Sequence, residues 1–158
     1  MAKEKQKVLA ISSVGGHWVQ LLRLRPAWSD MNVVYASSEP EYKYEVESSH
    51  AHARFRLFPD ASRWSPIRLL LQFAAISWIL LSERPDAIVT TGAAPGYFAL
   101  LVGKWLGART VWIDSIANAE ELSLSGSKAG RHADLWLTQW EDLVTTDKPG
   151  LLFRGRVL

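Results

Sequence analysis

The residues with the clearest chemical potential are His17 and Asp114, each placed just after an apolar segment. His17 ends the run SSVGGH, and Asp114 directly follows TVWI. A neutral imidazole accepts a proton readily, while a carboxylate either accepts one itself or orients a histidine that does. The sequence therefore predicts a general base and leaves open whether His17, Asp114 or the pair performs that role. Two structural explanations compete with it, a surface histidine in a first helical turn and an aspartate that caps a loop.

Two glycine-containing segments are suited to hold an anion beside these residues. Gly15 and Gly16 precede His17, and Gly92 with Ala93 lies in the run TTGAAPG. Glycine allows close backbone approach, and a helix that starts there directs free N–H groups and its positive dipole end toward a phosphate. Neither segment matches G-x-G-x-x-G or G-x-x-x-x-G-K-[ST], which disfavours dinucleotide and P-loop chemistry. Each segment alone is equally typical of an ordinary strand-to-helix turn.

Alternating apolar strands and helices must position these loops. The spacing of about 25 residues predicts an α/β fold, Rossmann-like, with a mostly parallel sheet and helices on both faces. Ligands in such sheets bind beyond the carboxyl ends of the strands, where the strand order reverses, so the loops after the first, fourth and fifth strands should converge. The predicted strands are 7–12, 31–37, 53–59, 86–92, 108–115 and 134–140, and the predicted helices are 18–25, 65–83, 94–107 and, in whole or part, 39–49 and 118–130.

Composition narrows the class of protein. A chain of 158 residues with 48% hydrophobic residues is expected to form one Rossmann-like domain over residues 1–158, and a net charge of +2 gives no reason to expect a nucleic-acid partner. The absence of cysteine excludes disulfides and thiolate metal sites. No histidine has ligand-like spacing to acidic residues, so no metal is predicted. No stretch reaches the ~20 apolar residues of a typical transmembrane helix.

The segment 65–83 has two interpretations. On a helical wheel Arg68, Gln72, Ser82 and Glu83 form a narrow polar stripe on an otherwise apolar helix. Such a helix is either a buried crossover between strands or one that lies on a membrane surface, with nearby arginines meeting anionic lipid. The second interpretation assigns membrane contact to a set of four residues: Trp64, Arg68, Phe73 and Trp78. Exposure of the apolar face distinguishes the two.

Several segments together resemble one family: SSVGGH, TTGAAPG, WIDSIANAEELSLSGSKAGRHADLWLTQW and the closing GRVL. It is the family of the membrane-associated subunit of the two-component N-acetylglucosaminyltransferase of dolichol-linked oligosaccharide synthesis. The bacterial relatives that assist exopolysaccharide glycosyltransferases, notably β-1,4-glucuronosyltransferases, are closer still. The resemblance covers essentially the whole chain, and residues 114–140 are its most specific part. The glycine–glycine–histidine loop is also similar to the first glycine loop of the peptidoglycan lipid-intermediate N-acetylglucosaminyltransferase.

The resemblance implies the N-terminal, acceptor-side half of an inverting GT-B glycosyltransferase. A separate chain would hold the UDP-sugar, the acceptor would be a lipid-diphosphate-linked saccharide, and the pair would sit peripherally on the cytoplasmic face of a membrane. No cofactor or metal is implied. The family pattern carries over to Gly15, Gly16 and His17 as the loop that faces the lipid diphosphate and donor sugar. It carries over to Gly92 and Ala93 as the second glycine-containing loop and to Asp114 as the acidic position after the fifth strand. Ser13 and Ser115 beside these loops are expected as further substrate contacts. A non-catalytic membrane anchor for the catalytic partner is the alternative.

Overall fold

The computed structural model describes residues 5–49 and 52–157; Leu158, the last residue of the GRVL motif, lies outside them. A sheet of seven parallel strands is the framework. The strands are β1 (Lys7–Ile11), β2 (Asn32–Ser37), β3 (Arg54–Leu57), β4 (Ala87–Thr90), β5 (Arg109–Ile113), β6 (Leu135–Thr138) and β7 (Leu151–Phe153). Their order is β3-β2-β1-β4-β5-β6-β7, so the direction of winding reverses between β1 and β4. The predicted Rossmann-like fold class is confirmed, and every described pairing is parallel.

The core lies on both faces of this sheet. Alternate residues of β1 belong to different clusters: Leu9 and Ile11 pack on one face, and Val8 and Ala10 on the other. Because successive side chains of a strand point to opposite faces, a strand covered on both sides must be apolar throughout. The run KVLAI has this character, which is why it forms an interior strand.

Helices cover each face in turn. They are α1 (Gly16–Arg23), α2 (Tyr42–Ser49), α3 (Pro66–Glu83), α4 (Ala93–Trp105) and α5 (Leu124–Ala129). Residues of α1 and α2 join one core cluster, and residues of α3, α4 and α5 join the other. The helix predicted over 18–25 is observed two residues earlier, at Gly16–Arg23. His17 therefore lies inside its first turn. Of the predicted segment 118–130, only part is helical, since α5 begins at Leu124.

The C-terminal segment adds a strand that the sequence did not predict. Residues Leu151–Phe153 form β7 on the edge beyond β6. This strand covers the edge of the sheet beyond β6. Three residues without clear periodicity carry too little pattern for a strand to be predicted from sequence.

The polar stripe of α3 is divided between the core and the surface, with Arg68 and Ser82 exposed. Gln72 and Glu83 are buried, whereas the apolar Ile67, Leu70 and Trp78 are exposed. Glu83 accepts hydrogen bonds from Arg54 Nη2 and Arg56 Nε of β3, both at 2.7 Å, and these charged partners make its burial tolerable. Over its 18 residues α3 has a mean hydropathy of 1.3, so by length and composition alone it could cross a membrane, although it is shorter than the ~20 apolar residues of a typical transmembrane helix. Its buried face packs within the core cluster of α3, α4 and α5.

Candidate active site

The loops after β1 and β4 meet at the point where the strand order reverses. β1 and β4 are neighbours in the sheet, with Ile11 beside Thr90, so the residues that follow them lie side by side at the carboxyl edge. α1 and α4 start there, and both have glycine at the N-cap with no side-chain cap: Gly15 for α1 and Gly92 for α4. The sheet therefore brings together the two glycine segments, as the strand pattern predicted.

His17 is fixed by the backbone of the second loop. Its Nδ1 lies 2.8 Å from the carbonyl oxygen of Thr91, while Thr91 Oγ1 donates to the carbonyl oxygen of His17 at 2.6 Å. A carbonyl oxygen only accepts hydrogen bonds, so Nδ1 carries the proton, and in the neutral ring the lone pair lies on Nε2. No hydrogen bond to Nε2 from any other described residue is present. This arrangement gives His17 the tautomer required of a base whose acceptor atom is Nε2.

Gly92 is required because the imidazole of His17 lies against it. A Cβ at this position would come within 2.8 Å of Cε1 and 2.9 Å of Nδ1 of that ring. The backbone of Gly92 also has a φ of +130°, and Ala93 follows with a φ of +65°. A non-glycine residue at positive φ is uncommon and costs of order 1–3 kcal/mol. The second loop thus holds a strained conformation at the place where the sequence predicted ligand contact.

The first loop leaves backbone donors at the surface. Gly15 has a φ of +73°, and a Cβ on it or on Gly16 would meet nothing within 4 Å. Gly15 N donates to Tyr42 Oη at 3.2 Å. Ser13 precedes these glycines, and its carbonyl oxygen accepts from Ser12 Oγ at 3.0 Å. Open space over both glycines suits the approach of a ligand to the start of α1, where unpaired N–H groups and the helix dipole favour negative charge.

Asp114 has a different environment from His17. Its side chain is 1% exposed and accepts four hydrogen bonds, from Trp112 Nε1, Asn118 Nδ2, and the backbone N and Oγ of Ser123, over 2.7–3.1 Å. Ser123 is in turn the N-cap of α5. The predicted base-and-orienter pair is not formed, because none of the described hydrogen bonds joins Asp114 to His17. A carboxylate with its acceptor sites occupied organises its loop, which matches the capping alternative for this residue.

Two buried glutamines near these loops were missed by the sequence interpretation. Gln20 and Gln139 are hydrogen-bonded to each other at 2.6 Å, and Gln20 also contacts Ser115, whose Oγ accepts from Gln20 Nε2 at 3.2 Å. Ser115 is buried, so its hydroxyl is engaged inside the protein. One signal in the sequence could have identified Gln20: it lies four residues after Gly16, and residues at this spacing share one face of a helix.

The residues predicted to touch a membrane lie away from this edge, around the outer face of α3. Trp64 is 81% exposed, Trp78 is 71% exposed, and Arg68 is exposed. Phe73 is partly buried, with its ring 5.4 Å from that of Phe98 in an edge-to-face contact, so it packs mainly within the protein. Three of the four residues are thus exposed, and their contact with a membrane stays a prediction.

An apolar groove separates α3 from α4 on the same side of the molecule. It has a volume of about 380 Å³ and is lined by Phe73, Ser77, Leu81, Leu101, Val102 and Trp105. Trp105, at the end of α4, is 83% exposed. Exposed apolar residues on α3 and α4 together form a continuous patch of the kind that marks an interaction surface.

The chain is similar to known proteins in sequence and in fold. No family model matches the sequence. The chain is 28% identical, over 91% of its length and 80% of the relative's, to the UDP-N-acetylglucosamine transferase subunit alg14 of Schizosaccharomyces pombe.

Solved structures share the fold at lower identity. MurG of Acinetobacter baumannii matches with a TM-score of 0.73 and 11% identity, over 94% of this chain and 45% of that one. A glycosyltransferase from Rickettsia africae matches with a TM-score of 0.66 and 13% identity, over 98% of this chain and 44% of that one. UDP-GlcNAc 2-epimerase from Neisseria meningitidis, bound to UDP-GlcNAc, matches with a TM-score of 0.66 and 13% identity, over 96% and 47%. The chain thus spans less than half the length of these structures.

These structures show that the chain has the Rossmann-like fold that makes up one part of GT-B proteins such as MurG. The sequence relation is more particular: the chain is a homologue of the alg14 subunit of UDP-N-acetylglucosamine transferase. The resemblance seen in the sequence is confirmed for this family, while the closer relation to bacterial exopolysaccharide enzymes stays a prediction.

Proposed function

We propose that this chain is the acceptor-side subunit of a split, inverting glycosyltransferase. A separate chain holds the UDP-sugar, and this one presents the hydroxyl of a lipid-diphosphate-linked saccharide to it. The observation that carries the proposal is the geometry of His17, whose Nδ1 is tied to Thr91 so that Nε2 has the free lone pair at the carboxyl edge. The sequence relation to a transferase subunit agrees with this division of labour.

In this mechanism His17 is the general base. Nε2 removes the proton of the acceptor hydroxyl as its oxygen attacks the anomeric carbon of the UDP-sugar, the bond from that carbon to the diphosphate breaks, and UDP leaves. The Thr91 carbonyl stabilises the imidazolium that forms, because Nδ1 remains its donor. The backbone at Gly15 and Gly16 and the start of α4 at Gly92 face the diphosphate of the acceptor lipid.

Asp114 then serves as the organiser of its loop, since its carboxylate is buried and hydrogen-bonded on both oxygens. The choice that the sequence left open therefore falls on His17. Glucuronate and N-acetylglucosamine are the two donor sugars we propose to test, the second because the alg14 relative is a UDP-N-acetylglucosamine transferase subunit.

The patch on α3 and α4 supports a peripheral position on a membrane, whose cytoplasmic face is the one we propose. Exposed Trp64 and Trp78 are amphipathic residues that favour the lipid–water interface. Arg68 on the same helix and Arg63, whose guanidinium lies 4.9 Å over the ring of Trp64, supply positive charge for anionic lipid. The same patch also favours the second candidate function, a non-catalytic anchor that only recruits the catalytic chain.

Replacement of His17 distinguishes the two candidates. The chain is purified from membranes together with its bound subunit and assayed with labelled UDP-glucuronate and UDP-N-acetylglucosamine on a polyprenyl-diphosphate saccharide. His17→Ala should lower turnover by about 10²–10⁴-fold, the contribution of a general base, with assembly unchanged. His52→Ala is the matched control, because His52 is exposed and lies beside the start of β3, away from the site. A His17→Ala complex that transfers at the wild-type rate would refute the catalytic role and leave the anchor function.

A further inference from the structure

A pair of buried carboxamides joins the separate segments of the site. Gln20 on α1 is 6% exposed and Gln139 after β6 is 1% exposed. Gln139 Nε2 donates to Gln20 Oε1 at 2.6 Å, although 119 positions separate the two residues in the sequence. Buried polar side chains are stable only when their hydrogen-bonding groups are paired, so this contact restricts both segments strongly.

Gln20 links the start of α1 to the loop after β5. Its Nε2 donates to the carbonyl oxygen of Gly16 at 3.3 Å and to Ser115 Oγ at 3.2 Å. Its Oε1 accepts from the backbone N of Ile116 at 3.1 Å, in addition to the bond from Gln139. Gly16 is the residue immediately before His17, so one side chain spans the gap between the histidine loop and the acidic loop.

Gln139 extends the link to the acidic strand end and to the C-terminal segment. Its Nε2 also donates to the carbonyl oxygen of Asp114 at 3.0 Å. Its Oε1 accepts from the backbone N of Val157 at 2.7 Å, and its carbonyl oxygen accepts from Arg156 Nε at 3.2 Å. The residues after β7 are thereby tied to the same network as α1.

We propose that Gln20 is a positioning residue for the transfer reaction, with Gln139 as its support. Its carboxamide holds the His17 end of α1 and the Ser115–Ile116 turn in one fixed relation, so that Nε2 of His17 keeps its direction toward the acceptor. This inference rests on the proposed function of His17. Gln20 touches neither substrate nor the reacting atoms; it acts through the backbone of Gly16.

The chemistry of the network requires a carboxamide at this position. The bonds of Gln20 use both N–H donors and both lone pairs of the oxygen. A carboxylate cannot donate to Gly16 or Ser115, and an apolar side chain of equal length leaves the N–H groups of Ile116 and Gln139 without this acceptor. Gln20→Met therefore removes the link while nearly preserving side-chain volume.

The chain offers a matched control in Gln72→Met. Gln72 is 2% exposed and donates from Nε2 to the carbonyl oxygen of Pro59 at 3.0 Å, but it lies on α3, outside the site. Both substitutions thus remove a buried carboxamide, and only one of them touches the network around His17. Thermal unfolding of both variants shows how much stability each loses.

The test compares both variants as purified complexes in the transfer assay and by NMR of the histidine ring nitrogens. Gln20→Met should lower kcat by about 10–100-fold with the donor KM within about twofold, as expected when a catalytic group is misplaced by about 1 Å. It should also shift the Nδ1 and Nε2 resonances of His17, whereas Gln72→Met should change neither kcat nor those resonances. A purely structural role would lower the melting temperature and leave the His17 resonances of the folded fraction in place.

A second variant keeps the inference falsifiable. If Gln20→Met does not fold, Gln139→Met removes the support from the other side and should produce the same shift of the His17 resonances with a smaller loss of kcat. Wild-type kcat and unchanged His17 resonances in the folded variant overturn the proposal. Absence of transfer by the wild-type complex with every donor would instead refute the proposed function, and the NMR comparison would still decide whether Gln20 positions His17.

Discussion

Gly92→Ala tests the packing that fixes His17, because the new methyl group would occupy the space of the imidazole. The added Cβ would lie 2.8 Å from Cε1 and 2.9 Å from Nδ1, whereas carbon atoms in contact prefer about 3.5–4.0 Å. The ring must therefore retreat by roughly 0.7 Å. The Nδ1 bond to Thr91 O, now 2.8 Å, would then lengthen toward about 3.5 Å, the outer limit of hydrogen bonding.

Gly92→Ala should lower both the stability of the chain and the turnover of the complex. Alanine at a φ of +130° adds strain of about 1–3 kcal/mol, and a displacement approaching 1 Å lowers turnover by up to about 10²-fold. Gly107→Ala is the matched control: its φ is +85°, but a Cβ there meets nothing within 4 Å. It should cost about 1–2 kcal/mol from backbone strain alone and leave transfer unchanged.

The measurements are chemical unfolding of each variant, kcat/KM of the purified complex, and the NMR signals of the His17 ring. Gly92→Ala should move all three, and Gly107→Ala only the first. A Gly92→Ala complex with wild-type kcat/KM and unshifted His17 signals would refute the claim that the second loop positions the base.

Two further predictions concern the rest of the molecule. Glu83→Gln should destabilise the chain by about 2 kcal/mol, the range for hydrogen bonds to charged groups, with transfer unaffected. Burial raises the pKa of the Glu83 carboxyl. The hydrogen bond from Arg56 and the positive charges of Arg54, Arg56 and Lys7 lower that pKa by more than burial raises it, so the net pKa lies below the ordinary value for glutamate. Its contribution is therefore complete above the unfolded-state pKa and lost as pH falls through the folded-state value. Trp64→Ser with Trp78→Ser should weaken binding to phosphatidylglycerol vesicles at least tenfold, from about 1.5–3 kcal/mol per buried aromatic.

The controls for these two predictions are contained in the same chain. A wild-type and a Glu83→Gln protein that lose stability equally between pH 7 and pH 3 would contradict the assigned role of Glu83. Tyr44 is an exposed aromatic residue on α2, so Tyr44→Ser should leave vesicle binding unchanged. Equal loss of binding in Tyr44→Ser would show that the α3 patch has no special part in it.

The proximity of the two glycine-containing loops could be predicted from sequence, because both loops follow strands of one parallel sheet. The segments around Gly15 and Gly92 follow separate apolar runs, and the carboxyl ends of parallel strands share an edge of the sheet. What pattern alone could not supply is the atom that fixes His17. That atom is the backbone carbonyl of Thr91, and a carbonyl oxygen is present at every residue, so no residue type signals it.

The role of Asp114 depended on where α5 begins. Had a helix filled residues 118–130, the carboxylate would have lacked the backbone N and Oγ of Ser123 as donors. Because α5 starts only at Leu124, Ser123 caps it and at the same time binds Asp114. Helix boundaries are the least reliable part of a sequence-based prediction, and the boundary of α5 sets the hydrogen-bond donors that surround Asp114.

The orientation of α3 also depends on a contact that sequence pattern does not reveal, the pairing of Glu83 with residues of β3. This contact stabilises the fold at a distance from the candidate active site. Charged residues are usually exposed, so residue type alone gave no reason to expect Glu83 of the polar stripe to be buried. Glu83 is instead buried because Arg54 and Arg56 project from β3 to meet it, and this pairing lies at the amino-terminal side of the sheet with Lys7. With Glu83 held inward, Ile76, Ile79 and Leu80 are buried beside it, and Ile67, Leu70 and Trp78 lie on the exposed side of α3. The ion pairs of Glu83 therefore help to fix the orientation of α3 at the edge of the sheet opposite His17, which is why Glu83→Gln should change stability without changing transfer.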